Sequence, residues 1–103
     1  MNQIQQHIET ILMLCKQHHV ERLYLFGSAL SSNFNDNSDI DLLIQFGDVN
    51  LADYFSNYMD LKEKLEELFN RPVDLVEEQA VRNPIFRQVL NREKKIIYER
   101  EVA

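Results

Sequence analysis

Residues 51–69 place Leu51, Tyr54, Phe55, Tyr58, Leu61, Leu65 and Leu68 on one face of a single helical period, with Asn50 in position to cap its start. A helix with one apolar face has to lie on something, and the chain supplies short strands to receive it. Residues 22–26 (RLYLF) end at Gly27, residues 40–46 (IDLLIQF) end at Gly47, and residues 73–76 (VDLV) follow the helix-stopping Asn70-Arg71-Pro72. A fourth strand is expected at 95–98 (KIIY). Ile4, Ile8, Ile11, Leu12 and Cys15 make residues 2–19 a further amphipathic helix, and Asn83-Pro84 opens a short one running to about Asn91. The order α-β-loop-β-α-β-α-β predicts a small α/β (α+β) domain, a mixed sheet of about four strands flanked by helices. The polar stretch 31–39 (SSNFNDNSD) is too short for a crossover helix, so the first two strands are expected to pair antiparallel.

At 103 residues the chain is expected to be one domain, 1–103, with one core. Asp and Glu number 17 against 11 Lys and Arg, a net charge of −6 that argues against direct nucleic-acid binding, which depends on clustered basic residues. No apolar run approaches a membrane span and the start Met1-Asn2-Gln3 is polar, so no membrane attachment is expected. Cys15 is the only cysteine, which excludes an internal disulfide and fits a reducing cytoplasm.

Chemistry concentrates in a few residues. Gly27 ends a strand and is followed by Ser28, whose hydroxyl and N–H can meet a phosphate oxygen, while glycine lets backbone approach a ligand closely. Ten residues separate Ser28 from Asp39, and Asp41 follows two positions later, on the same strand face. Ile40, Leu42 and Ile44 turn to the other, helix-covered face. Asp74 alternates with Val73 and Leu75 in the third strand, so three carboxylates converge if that strand neighbours the second. Two carboxylates ~5 Å apart at an effective dielectric of about 20 repel by roughly 3 kcal/mol, which a hard divalent cation would offset.

Gly27-Ser28, the ten-residue gap and Asp39-Ile40-Asp41 resemble the signature of the polymerase-beta-like nucleotidyltransferase superfamily. The run from Leu65 through Arg71-Pro72-Val73-Asp74-Leu75-Val76, then Asn83-Pro84 and Ile96-Ile97-Tyr98-Glu99, is similar to its minimal nucleotidyltransferase (MNT) branch. The resemblance spans Leu23 to Glu99. It implies that Asp39, Asp41 and Asp74 hold Mg²⁺, two ions in all, that Asp74 assists deprotonation of the acceptor, and that Gly27 and Ser28 bind the phosphates of ATP. It further implies transfer of AMP to a hydroxyl, a tyrosine, of a partner HEPN-domain toxin, with this chain as the antitoxin of a type VII-like toxin–antitoxin pair in the cytoplasm. Homo-oligomerisation is compatible with it. One departure stands out: relatives carry Arg-Gly shortly after Gly-Ser, where this chain has Ala29, Leu30, Ser31 and Ser32. Lys62 and Arg22 are the candidates to replace that cation. The departure motivates an alternative, a non-catalytic module that neutralises its toxin by steric occlusion. A standalone transferase for a small hydroxylated molecule is a weaker rival, since no acceptor-binding domain is evident.

Plainer readings stand beside these. Gly27 and Ser28 could form a turn and a helix cap, Asp39 a turn cap, and Asp74 a solvent-facing strand position. His7, His18 and His19 have no metal-ligand spacing, and the last two suit a helix C-terminus. Cys15, Tyr54, Phe55 and Tyr58 read as core, with the tyrosines also able to line a partner surface. Residues 63–67 read as a solvated face, and Arg82, Arg87 and Arg92, five residues apart, as surface.

Overall fold

The computed structural model describes residues 2–27 and 39–100. Its elements are α1 (Asn2–Gln6), α2 (Ile8–Gln17), β1 (Val20–Phe26), β2 (Ile40–Phe46), α3 (Leu51–Phe69), β3 (Val73–Glu77), a 3₁₀ turn (Glu78–Ala80), α4 (Pro84–Glu93) and β4 (Lys95–Glu99). The sheet runs β3-β2-β1-β4, with β1 antiparallel to β2 and β4, and β2 parallel to β3. The mixed sheet expected from the short loop is therefore present.

β2 is one of the two inner strands and is apolar on both faces. Ile40, Leu42 and Ile44 pack with Leu23, Leu25, Val73 and Leu75 of the neighbouring strands against Ile11, Leu14 and Cys15 of α2 and Leu61, Leu65 and Phe69 of α3. Leu43 faces the opposite way and joins Phe26 and Leu90 of α4 in a smaller cluster flanked by Tyr24, Val76 and Val81. The sheet is thus covered on one side by α2 and α3 and on the other by α4. Cys15 is core as expected, and burial pushes its thiol up to about 12.

Four local departures have physical causes. The first helix divides at His7, whose φ of −112° and ψ of 16° turn the chain. The turn lets the His7 ring meet Phe69 edge-on at 6.1 Å and Gln3 donate to the Phe69 carbonyl, docking α1 on the end of α3. β1 begins two residues earlier than the apolar run suggests, because a bulge between Val20 and Arg22 carries the pairing back to Phe46. On α3 the apolar face is narrower than the periodicity implies. Tyr54 and Tyr58 pack edge-on against Phe46, whereas Leu51 is 92% and Phe55 73% exposed, so neither is core. Arg87 is structural rather than surface, donating to the carbonyls of Glu78 and Val81 and fixing α4 to the turn before it. That helix starts as expected, with the Asn83 side chain accepting from Ile85 and Phe86 N–H and Pro84 in its first turn.

His18 stands at the C-terminal end of α2, as expected, and is buried there. Its Nδ1 stands 2.7 Å from the Leu14 carbonyl and its Nε2 2.6 Å from the Asp60 carboxylate, so it ties α2 to α3. Asp60 also accepts from Lys64 at 2.6 Å, and these bonds, Lys64 first, hold its carboxyl below the usual 3.8. A depressed folded value means stability that is present above the unfolded carboxylate range and is lost as pH falls through it. The gap in urea midpoint between wild type and Asp60→Asn is expected to shrink as pH falls below about 4; a gap that does not change across that acid range would contradict the linkage.

Candidate active site

The β2–β3 pairing sets the geometry. Asp41 is the register partner of Asp74 across the parallel pair and of Phe26 across the antiparallel one, so the two carboxylates share the face opposite the α2–α3 layer. Strand spacing puts them about 4.8 Å apart at the backbone. Leu42 and Leu75, one position on, are paired and buried on the other face. Asp39 lies just before β2, where the Ile40 N–H donates to the Pro72 carbonyl and continues the parallel ladder. Asp39 and Asp74 are exposed and Asp41 is half-buried. Of the three expected carboxylates, the strand register brings together Asp41 and Asp74.

Gly27 explains the end of β1. Its φ is +72°, a left-handed conformation that costs other residues energy. A Cβ built there would stand 2.3 Å from Asp41 Oδ2 and 3.0 Å from its Cγ. The Asp41 carboxyl occupies the space that a side chain at position 27 would need. Ser28 and residues 29–32 lie outside the described residues.

The donor set consists of carboxylate oxygens, the chemistry a hard cation such as Mg²⁺ selects. Among the described residues no group of three or more His, Cys, Asp or Glu side chains is positioned to hold a metal ion. Asp41 and Asp74 alone are paired side by side, and one or two carboxylates are what Mg²⁺ takes when water and substrate phosphates complete its shell. Two concavities, of about 590 Å³ beside His19, Asp48 and Asp53 and about 600 Å³ beside Leu12, Lys16 and Tyr98, include none of the three carboxylates. They lie at the opposite end of β2, so site assignment here follows chemistry rather than cavity size.

Of the two candidate cations, Arg22 is at the wrong end of β1. It pairs with Gln45 in register, donates to its side chain at 3.4 Å and faces Glu99 at 3.8 Å. Lys62 lies on α3 between Tyr58 and Glu66, both of which bond to β3: the Tyr58 hydroxyl donates to the Leu75 carbonyl, and Glu66 Oε2 accepts from Val73 N–H at 3.0 Å. Sequence reasoning missed those two contacts. Glu66 was expected on a solvated face and Tyr58 in the core, and only their eight-residue separation, which keeps them on one side of the helix, hints at a shared target. Burial raises the Tyr58 hydroxyl above its usual value, with the Asp74 and Glu77 charges adding to the effect.

The family model for polymerase beta nucleotidyltransferases matches residues 8–102. The chain belongs to that family. A Methanocaldococcus jannaschii protein provisionally named protein adenylyltransferase MJ1379 is 31% identical to this nucleotidyltransferase over 86 residues, 84% of this chain and 83% of the other. A solved structure described provisionally as a minimal nucleotidyltransferase superposes with a TM-score of 0.74 at 30% identity, covering 89% of this chain and 90% of its own. The fold is also that of a complex of tri-AMPylated Shewanella oneidensis HEPN toxin with MNT antitoxin, at a TM-score of 0.64 and 21% identity over 93% of this chain and 72% of the other.

Gly27→Ala is expected to destabilise the protein by about 1–3 kcal/mol, from the left-handed backbone and the displaced carboxylate together. In an Asp41→Ala background the same substitution should cost less, because only the backbone part remains. Equal costs in both backgrounds, measured by urea denaturation, would show that the close approach carries no energy.

Proposed function

We propose that this nucleotidyltransferase moves AMP from ATP to a tyrosine hydroxyl of a HEPN-domain toxin and so acts as that toxin's antitoxin. The observation carrying the proposal is the Asp41–Asp74 register, with Gly27 pressed against the Asp41 carboxyl. The provisional adenylyltransferase name of the archaeal relative supports AMP transfer, and the MNT complex with an AMPylated HEPN toxin supports the partner.

In this reading the tyrosine oxygen attacks the α-phosphorus of ATP, the new P–O bond forms in line, and pyrophosphate leaves with the electrons of the broken bond. Asp39, Asp41 and Asp74 would hold Mg²⁺, which supplies Lewis-acid stabilisation of the attacking and leaving oxygens. Asp74, exposed beside Asp41, takes the proton of the incoming hydroxyl. Gly27 and Ser28 give the phosphates a close backbone approach, and Lys62 on α3 is the candidate cation for the triphosphate. The net charge of −6 complements a basic, RNA-cleaving partner.

Incubating the purified chain with its HEPN partner, ATP and Mg²⁺ should add AMP to the partner, read by mass spectrometry, and silence its ribonuclease. Asp41→Asn should slow the transfer by about a hundredfold or more. No mass shift would defeat the transferase reading. Undiminished neutralisation by Asp39→Asn/Asp41→Asn protein would instead favour steric occlusion.

A further inference from the structure

β3 is an edge strand. Its inner side pairs with β2 from Ile40↔Val73 to Ile44↔Glu77, while among the described residues no strand lies along its outer side. In a parallel ladder, alternate residues direct both their N–H and C=O outward, and in β3 these are Val73 and Leu75, the two neighbours of Asp74. Left to water, a five-residue edge of this kind frays, and a slip of one residue would turn Asp74 to the buried face.

The outer edge is bonded all the same. Glu66 Oε2 accepts from the Val73 N–H at 3.0 Å, and the Tyr58 hydroxyl donates to the Leu75 carbonyl. The two side chains leave α3 about two turns apart and reach the backbone on either side of Asp74. Between them, Leu61 and Leu65 are 0% and 1% exposed, so this stretch of α3 is fixed to the sheet. Asp74 is close enough for its charge to act on the Tyr58 hydroxyl. The link from α3 to β3 is short: Asn70 ends the helix in a left-handed turn, Arg71 N–H bonds back to the Glu66 carbonyl, and Pro72 leads into the strand.

We propose that Tyr58 and Glu66 are positioning residues that stand in for a fifth strand and hold Asp74 in register with Asp41. The inference rests on the transferase reading for its catalytic consequence, and on the edge bonds alone for its structural one. Loosening either bond leaves the carboxylate on the chain but blurs its position relative to Asp41, which weakens cation binding more than it weakens the fold.

The test uses the full chain as Glu66→Ala, Glu66→Gln and Tyr58→Phe, the last keeping the ring that packs on Phe46. Expected for Glu66→Ala and Tyr58→Phe is a rise of about tenfold in the Mg²⁺ concentration for half-maximal AMP transfer, with the KM for the toxin unchanged. Glu66→Gln, which retains an acceptor, should stay within about twofold of wild type. Two readouts are independent of turnover. Mn²⁺ affinity by calorimetry should fall about tenfold, and the Asp74 amide should exchange faster while Leu43 in the centre of the sheet does not. If wild type transfers no AMP yet Glu66→Ala still weakens Mn²⁺ binding and frees the Asp74 amide, the transferase reading fails and the positioning role stands. If wild type is active and both variants match it in Mg²⁺ dependence, Mn²⁺ affinity and Asp74 exchange, the positioning role is overturned. Failure of wild type to bind Mn²⁺ overturns the transferase reading, and the positioning role then stands or falls on whether Glu66→Ala and Tyr58→Phe free the Asp74 amide.

Discussion

The parallel pairing of β2 with β3 is the constraint on which the rest of the structure depends. A parallel neighbour requires a crossover, and α3 is that crossover, so the longest helix is also the element that delivers the third carboxylate. The pairing decides two things in one stroke. Ile40, Leu42, Val73 and Leu75 go to the α2–α3 core, and Asp41 and Asp74 go to the open face. Hydrophobic burial of several side chains, each contributing roughly 1.5–3 kcal/mol, thereby supports the juxtaposition of like charges costing roughly 3 kcal/mol. The core fixes the register, and the register fixes the acidic pair.

The opposite layer is lighter and is organised by polar contacts as much as by apolar ones. α4 contributes Leu90 to a small cluster with Phe26 and Leu43, and Phe86 meets Phe26 edge-on at 6.3 Å. Glu78 stands 3.8 Å from Arg87 and 3.7 Å from Lys94, and Lys94 lies 4.3 Å over the Tyr24 ring. These contacts seat α4 over β1 and β2 and leave the Asp74 edge of that face exposed.

Much of this was legible in the sequence because it followed from period and punctuation. The bounds of β2 and α3, the Asn83 cap and the antiparallel first pair each rest on a local signal that packing did not override. Asp41 and Asp74 were likewise readable as strand residues interrupting apolar alternation. The misses are tertiary. Nothing within residues 2–19 indicates that His7 would turn toward Phe69, and the periodicity of α3 cannot say that the sheet ends before Leu51 and Phe55. The place of His18 at a helix end was legible, but its partner across the helix pair, Asp60, was not. Glu66 resembles any charge on a solvent face, since its partner is a backbone N–H that has no sequence signature.

The bulge in β4 has a further consequence. Between Leu23↔Tyr98 and Tyr24↔Ile96 the pairing skips Ile97, so the margin of the sheet opposite β3 is kinked, and Lys95 stands exposed at its start. Kinks and lysines on a border strand discourage a neighbouring molecule from zipping onto it, and the far border is already occupied by helix side chains.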